Sequence, residues 1–146
     1  MGKGPLGDAE TARCLMVRAG DHVCAVPLAR VRRVMRALPI FPLPGASPEL
    51  LGLAEFGGEP LPILDLARLI AAPPGATAQF PVTLVVVAGP ASDREVVGLA
   101  ADAALEIAEV PIRSLVAGDG GLVRGEAPVA GRAVRLLDLE ALGATR

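Results

Sequence analysis

Leu64-Asp65-Leu66-Ala67-Arg68-Leu69 returns 73 residues later as Leu137-Asp138-Leu139-Glu140-Ala141-Leu142. The same displacement carries Leu28, Val31 and Val34 onto Ala101, Ala104 and Ile107, so one offset, half the length of the 146-residue chain, serves two separated echoes. A repeat of this period means one supersecondary unit present twice, each copy burying apolar surface against the other. Both aspartates stand where an apolar, strand-like run stops and a Leu-x-x-Leu step begins. A carboxylate there accepts hydrogen bonds from exposed backbone N–H groups and caps a short helix. Capping accounts for Asp65 and Asp138 without assigning either a catalytic role.

Outward from these steps the chain reads as short strands separated by turn residues. Arg13–Arg18 and Val23–Val26 flank Gly20-Asp21, a hairpin turn. Pro27 presets a helical first turn, and Leu28, Val31 and Val34 fall on one face of a short helix or a twisted strand. Pro39, Pro42, Pro44 and Pro48 exclude a helix interior and predict an extended crossing. Leu50–Phe56 and Glu59–Leu64 bracket Gly57-Gly58, a second hairpin, with Pro60 and Pro62 placed as on an edge strand. Further strands are predicted at Val82–Ala88, Val96–Ala101, Leu105–Val110 and Ala133–Leu137, with turns at Gly89-Pro90 and Gly118-Asp119-Gly120-Gly121. Residues 1–11 read as a flexible tail and 71–78 as a linker. The rest, 12–146, divides into halves at about 12–70 and 79–146. Many short strands with Gly and Pro turns mean an all-β fold of small barrels or a sandwich.

Composition narrows the function classes. The chain is 52% hydrophobic yet has no Trp, no Tyr and three Phe, so its core is aliphatic and suits pleated surfaces. A net charge of −2 and the missing aromatics argue against phosphate neutralisation and base stacking, and so against nucleic acid as a partner. The longest apolar run, Val82–Ala88, is far short of the roughly 20 residues of a membrane span, and the N-terminus has no basic-then-apolar signal pattern. A cytoplasmic protein with no direct membrane insertion is expected.

Chemistry-bearing groups are few. His22 is the single histidine and sits in a polar turn, where no local motif supports a nucleophile and base set. Cys14 and Cys24 lie in apolar runs and read as buried thiols, and no metal-ligand spacing is present. Gly118-Asp119-Gly120-Gly121 lacks both phosphate-loop patterns. Arg30, Arg32, Arg33 and Arg36 form the one concentrated charge feature. Read as a solvated face they need no explanation. Interleaved with Val31, Val34 and Met35, they equally suit an interface with an apolar centre and a charged rim.

Taken together these motifs resemble the CheW family, the adaptor domains that connect chemoreceptors to the chemotaxis histidine kinase. Gly20-Asp21-His22-Val23-Cys24-Ala25-Val26-Pro27-Leu28, with Val31 and Val34, resembles the family's first hairpin and its V-x-E-V-like element. Gly52-Leu53-Ala54-Glu55-Phe56-Gly57-Gly58-Glu59-Pro60-Leu61-Pro62-Ile63-Leu64-Asp65-Leu66 is similar to G-V-x-N-L-R-G-x-V-x-P-V-x-D-L. Gly98-Leu99-Ala100-Ala101-Asp102 and Leu136-Leu137-Asp138-Leu139 match later elements, and the matches run in order from about residue 13 to 142.

The resemblance implies an all-β fold of two five-stranded, SH3-like barrels with short helical segments. It implies no cofactor and no catalysis. A groove between the barrels would receive the tip of a receptor's helical hairpin, while barrel surfaces dock on the regulatory domain of a histidine kinase. On this reading Arg30, Val31, Arg33, Val34, Met35, Phe56, Gly57 and Gly58 are the partner-binding residues. Two positions depart from the family pattern. Glu55-Phe56-Gly57-Gly58 stands where the family has N-L-R-G, losing an Arg capable of forked hydrogen bonds, and Arg33 stands where an acidic residue is common. Like-charge placement at an interface costs several kcal/mol, so altered partner preference is expected. The alternative function class is a small barrel that binds a ligand or an oligonucleotide.

Overall fold

The computed structural model describes residues 11–71, 81–112, 115–118 and 121–142, and nearly all of them lie in strands or in the turns between strands. In chain order these are β1 (Thr11–Ala19), β2 (His22–Pro27), a 3-10 turn (Leu28–Arg30), β3 (Val31–Arg36), β4 (Leu50–Phe56), β5 (Glu59–Asp65), the one-turn α1 (Leu66–Leu69), β6 (Val82–Ala88), β7 (Glu95–Ala101), β8 (Ala103–Pro111), β9 (Val116–Ala117), β10 (Val123–Val129), β11 (Arg132–Leu137) and a closing 3-10 turn (Leu139–Ala141). The 73-residue offset carries β4 onto β10 residue for residue, β5 onto β11, β2 onto β7 and β3 into β8. The duplication read in the sequence is therefore a duplication of the fold.

The strands form a six-stranded sheet, ordered β9-β10-β11-β2-β1-β8, and a five-stranded sheet, ordered β3-β6-β7-β5-β4. Apart from β9, the two have the same topology. Each contains one parallel join, β11 with β2 and β5 with β7, in matching register: Leu136 faces Ala25 as Ile63 faces Gly98. Even β9 has a counterpart, since Phe41 and Leu53 exchange backbone hydrogen bonds of 2.8 and 2.9 Å beside β4.

Neither sheet is built from one half of the chain. The hairpin β1–β2 of the first repeat completes a sheet whose other strands come from the second repeat, and β6–β7 completes the sheet of β3, β4 and β5. The expected barrel halves at 12–70 and 79–146 are corrected accordingly: each repeat contributes strands to both barrels.

Apolar side chains alternate along the exchanged hairpins and face two cores. Cys14, Met16, Val23 and Ala25 point into one barrel with Val110, Ala127, Val134 and Leu136. Leu15, Val17, Cys24 and Val26 point the other way, into a central cluster with Leu84, Val86, Val97, Leu99 and Leu137. Val85 and Ala100 fill the second barrel with Ala54, Leu61 and Ile63. Strands covered on both faces need continuous apolar runs, which explains Val82–Ala88.

Bulges explain the three-residue spacing of Val31 and Val34. Arg32 is an extra residue opposite the Val85–Val86 step, so Val31 and Val34 both share the face of Leu84 and Val86. Ala104 and Ile107 repeat the arrangement against Val17 and Leu15. The short-helix or twisted-strand reading resolves into a 3-10 turn followed by a bulged strand.

Other expectations shift in detail. Thr11, read as tail, belongs to β1, while residues 1–10 and, apart from Ala71, the linker lie outside the described residues. β5 is not an edge strand, because it lies between β4 and β7. Its parallel join to β7 begins only at Ile63, so Pro60 and Pro62 occupy the stretch paired on one side. β10 and β9 were not expected, since Gly125 and Pro128 interrupt the alternation by which a strand is recognised.

Gly52 takes φ +150°, and a Cβ there would meet the Phe41 carbonyl, so the proline-rich crossing can lie on β4 only because this residue has no side chain. Gly57 takes φ +62° with nothing within 4 Å of a Cβ. Gly52→Ala is expected to lower stability by about 2 kcal/mol or more, whereas Gly57→Asn, which suits a left-handed turn, should stay within about 0.5 kcal/mol. Chemical denaturation midpoints check both, and equal effects would contradict the close-approach account.

Candidate partner-binding surfaces

Arg30 ends the 3-10 turn and is held in place. Its guanidinium pairs with Glu140 at 3.0 Å and donates to the Val87 carbonyl at 3.5 Å, tying the first repeat to the closing turn of the second. Arg32, Arg33 and Arg36 are exposed on β3, and among the described residues their side chains make no ion pair or hydrogen bond. The arginine cluster thus separates into one structural member and three that face water. Val31 packs on the central cluster and Val34 is exposed beside it. Met35 turns away and packs against the second barrel's core, as does Phe56.

Gly57 and Gly58 form the β4–β5 turn with φ +62° and +81°. The equivalent turn in the second repeat is Ala130-Gly131, with φ 52° and 78°. The backbone needs two left-handed residues at both turns, and the exposed hairpin tip has open space around Gly57 and Gly58. Of the expected partner-binding residues, Met35 and Phe56 therefore share one core, Val31 and Val34 share one face of β3, and Arg30 belongs to the inter-repeat contact.

A groove between the barrels was expected without its lining residues; the structure has a groove of about 860 Å³ where β4, β5 and α1 meet the start of β7 and the chain near residues 121–122 and 141–142. Leu50, Leu53, Pro62, Leu64 and Val97 line it, with Glu49, Glu95 and Arg68 among its polar residues. The 73-residue offset carries Leu53 and Pro62 onto Glu126 and Arg135. There Arg135 pairs with Glu126 at 3.4 Å and donates to the Ile70 carbonyl at 3.0 Å. One copy of the position is apolar and open, the other occupied by the chain's own ion pair. The available signal was this mismatch between repeats, which becomes meaningful only once the register of the duplication is known.

The chemistry-bearing groups are in structural service. The Asp65 carboxylate accepts from the Arg68 N–H at 3.4 Å and its other oxygen lies 3.6 Å from Arg68 Nε, and Asp138 accepts from the Glu140 N–H at 3.1 Å. Burial raises the Asp65 pKa from its ordinary value, opposed by the Arg68 hydrogen bond and charge. Cys14 and Cys24 are free and buried on opposite faces of the β1–β2 hairpin, which keeps the two sulfurs from bridging. Burial is the main cause pushing Cys14 up to about 11 and Cys24 up to about 12. His22 opens β2 opposite Ala19, half-buried. Among the described residues no three His, Cys, Asp or Glu side chains gather as a metal site, and no helix is long and apolar enough to cross a membrane.

At pH 8 neither thiol should react appreciably with a water-soluble alkylating reagent in the folded protein, and both should react in denaturant. Native-state labelling within minutes would contradict this. A folded-state carboxyl pKa above the unfolded one means that Asp65 contributes stability fully present below the unfolded range and lost as pH rises through the raised value. Asp65→Asn retains an acceptor but cannot ionise, so its stability relative to the parent should improve as pH rises from acid to neutral. Asp65→Ala should cost about 1 kcal/mol through the lost cap. A pH series of denaturation curves checks both.

Comparison with known proteins places this geometry. The family model described as CheW-like domain matches residues 13–145. The crystal structure of the scaffolding protein TtCheW from Thermoanaerobacter tengcongensis is similar to this chain with a TM-score of 0.72 and 15% sequence identity, covering 88% of this chain and 90% of that one. At that identity the likeness concerns the fold. No curated protein matches the chain.

Proposed function

Because the chain belongs to the CheW-like domain family, with the match running over residues 13–145, we propose that it is a non-catalytic adaptor of chemosensory signalling, acting in the cytoplasm to couple a chemoreceptor tip to the regulatory domain of a histidine kinase. The family match is the observation that carries this reading. The geometry is compatible with it: two barrels share a central core, and their outer surfaces present apolar residues beside charge.

Arg30, Val31, Arg33, Val34, Met35, Phe56, Gly57 and Gly58 are the residues assigned to partner contact, in graded roles. Val31 and Val34 supply the apolar face of β3, and Arg33 supplies charge on its other face. Met35, Phe56 and Arg30 hold β3 and the β4–β5 hairpin in position from behind. Gly57 and Gly58 shape the hairpin tip. With no cation at Gly57 and a positive Arg33 where the family often carries an acid, the chain discriminates against one of the usual two partners.

A second reading rests on one observation. The open groove at Leu53 and Pro62 is within the size range of small-ligand sites, and the protein would then be a ligand-binding barrel. Saturation of the groove by a small molecule at low micromolar concentration, with no protein partner, would favour it.

Titration calorimetry with a chemoreceptor tip and with the regulatory domain of a histidine kinase, both taken from the organism that encodes this chain, tests the adaptor reading. Binding to at least one is expected, and silence against both would overturn it. Gly57→Arg should tighten the kinase contact about tenfold if the missing cation limits it. Because the turn takes φ +62°, a circular dichroism check of folding accompanies the measurement, and unchanged affinity of the folded variant would remove the altered-preference argument.

A further inference from the structure

The open groove lies where the two repeats meet. Glu49, Arg68 and Leu69 of the first repeat line it, and so do their counterparts at the 73-residue offset, Leu122, Ala141 and Leu142. From this shared part the groove continues toward Leu53 and Pro62, which are partners across β4 and β5. The equivalent continuation in the second repeat is closed. There Glu126 and Arg135 are partners across β10 and β11, and the mostly covered Arg135 side chain reaches two acceptors at once. It pairs with Glu126 at 3.4 Å and donates to the carbonyl of Ile70 at 3.0 Å, one residue beyond Leu69. A guanidinium thus fills in one repeat the kind of space that stands open in the other.

The charges around the open half favour the same kind of group. The Glu49 side chain is half-buried, and among the described residues its carboxylate makes no ion pair or hydrogen bond. Glu95 lines the groove as a second acid. Arg68, the cation in the lining, already lies 3.6 Å from the Asp65 carboxylate. Leu50, Leu53 and Pro62 supply half-buried apolar walls beside these charges.

We propose that the open half of the groove takes an arginine side chain of a protein partner, flanked in that partner by apolar residues. The guanidinium enters beside Pro62 and donates to the Glu49 carboxylate, while the flanking apolar side chains cover Leu50 and Leu53. Arginine suits the place better than lysine because its planar fork reaches acceptors in two directions, as Arg135 does in the other repeat. A volume of about 860 Å³ holds that side chain together with its neighbours. The inference stands apart from the adaptor reading. Its probe contains neither receptor nor kinase, so failure here leaves that reading untouched, and silence of those two partners leaves this site standing.

An NMR titration of the isotope-labelled full chain with the blocked pentapeptide acetyl-Ala-Leu-Arg-Leu-Ala-amide tests it. Amide shifts at Leu50, Leu53 and Val97 should saturate with a dissociation constant of about 1 mM or tighter. Citrulline in place of the arginine keeps the shape and loses the charge, and should weaken binding at least about tenfold. E49Q should weaken the arginine peptide about fivefold and leave the citrulline peptide unchanged. L53E/P62R gives the first repeat the ion pair of the second and should abolish binding of both peptides. Absence of saturable shifts in the parent overturns the proposal, as do equal affinities for the two peptides and an E49Q or folded L53E/P62R protein that binds like the parent. Arginine amide binding as tightly as the pentapeptide also overturns it, in favour of a small free ligand. Should L53E/P62R fail to fold, the citrulline comparison on the parent and the E49Q titration decide.

Discussion

The structure depends on two hairpins, β1–β2 and β6–β7, each buried on both faces. One face of each hairpin fills a barrel and the other faces the central cluster, where Leu15, Val17 and Val26 meet Leu84, Val86 and Leu99. Because each hairpin lies in a sheet otherwise composed of the opposite repeat, neither barrel is complete without both halves of the chain. Burial of this kind is felt residue by residue: truncating a fully buried leucine such as Leu84 or Leu99 removes 2–5 kcal/mol in typical cores. The central cluster therefore fixes the placement of the two barrels, and with it the placement of every surface a partner could touch.

Local chemistry made much of this legible beforehand. Gly20-Asp21 and Gly57-Gly58 announced their hairpins because a two-residue turn demands left-handed backbone, and Asp65 and Asp138 announced the repeat because exposed N–H groups at a helix start demand an acceptor. The exchange of strands was not legible. Alternation tells which face of a strand is apolar, and an uninterrupted run tells that both are, but neither says which strand supplies the cover. The lining of the groove at Leu53 and Pro62 was hidden for a related reason, since its walls come from segments far apart in the chain. β10 was missed because Val123–Val129 contains a glycine and a proline. The glycine is required where a Cβ on Gly125 would come within 2.7 Å of the Val116 carbonyl, just as Gly52 is required at Phe41.

The repeats agree where the core constrains them and differ where water does. Leu64 and Leu137 keep their chemistry, as do Asp65 and Asp138 and the paired bulges, because a change there would disturb packing or leave backbone groups unsatisfied. Leu53 and Pro62 against Glu126 and Arg135, or Arg33 and Arg36 against Glu106 and Glu109, differ completely. Comparing the repeats therefore separates what the fold requires from what it leaves open. The positions left open are those with scope to be specific to this chain.

That separation bears on what an adaptor of the proposed kind has to do. Coupling one protein to another requires two surfaces held at a set distance and angle, so that occupancy of one fixes where the other partner sits. Two barrels joined by a flexible segment would bind both partners yet transmit no geometry between them. Two barrels that exchange hairpins and pack on a common core are held in one arrangement, and the Arg30–Glu140 pair together with the Arg30 contact to Val87 adds a tie between the repeats near β3. An exposed pair of this sort contributes little to stability by itself. Its consequence is positional: it anchors the turn from which β3 emerges, and so anchors the strand that carries Val31, Arg33 and Val34.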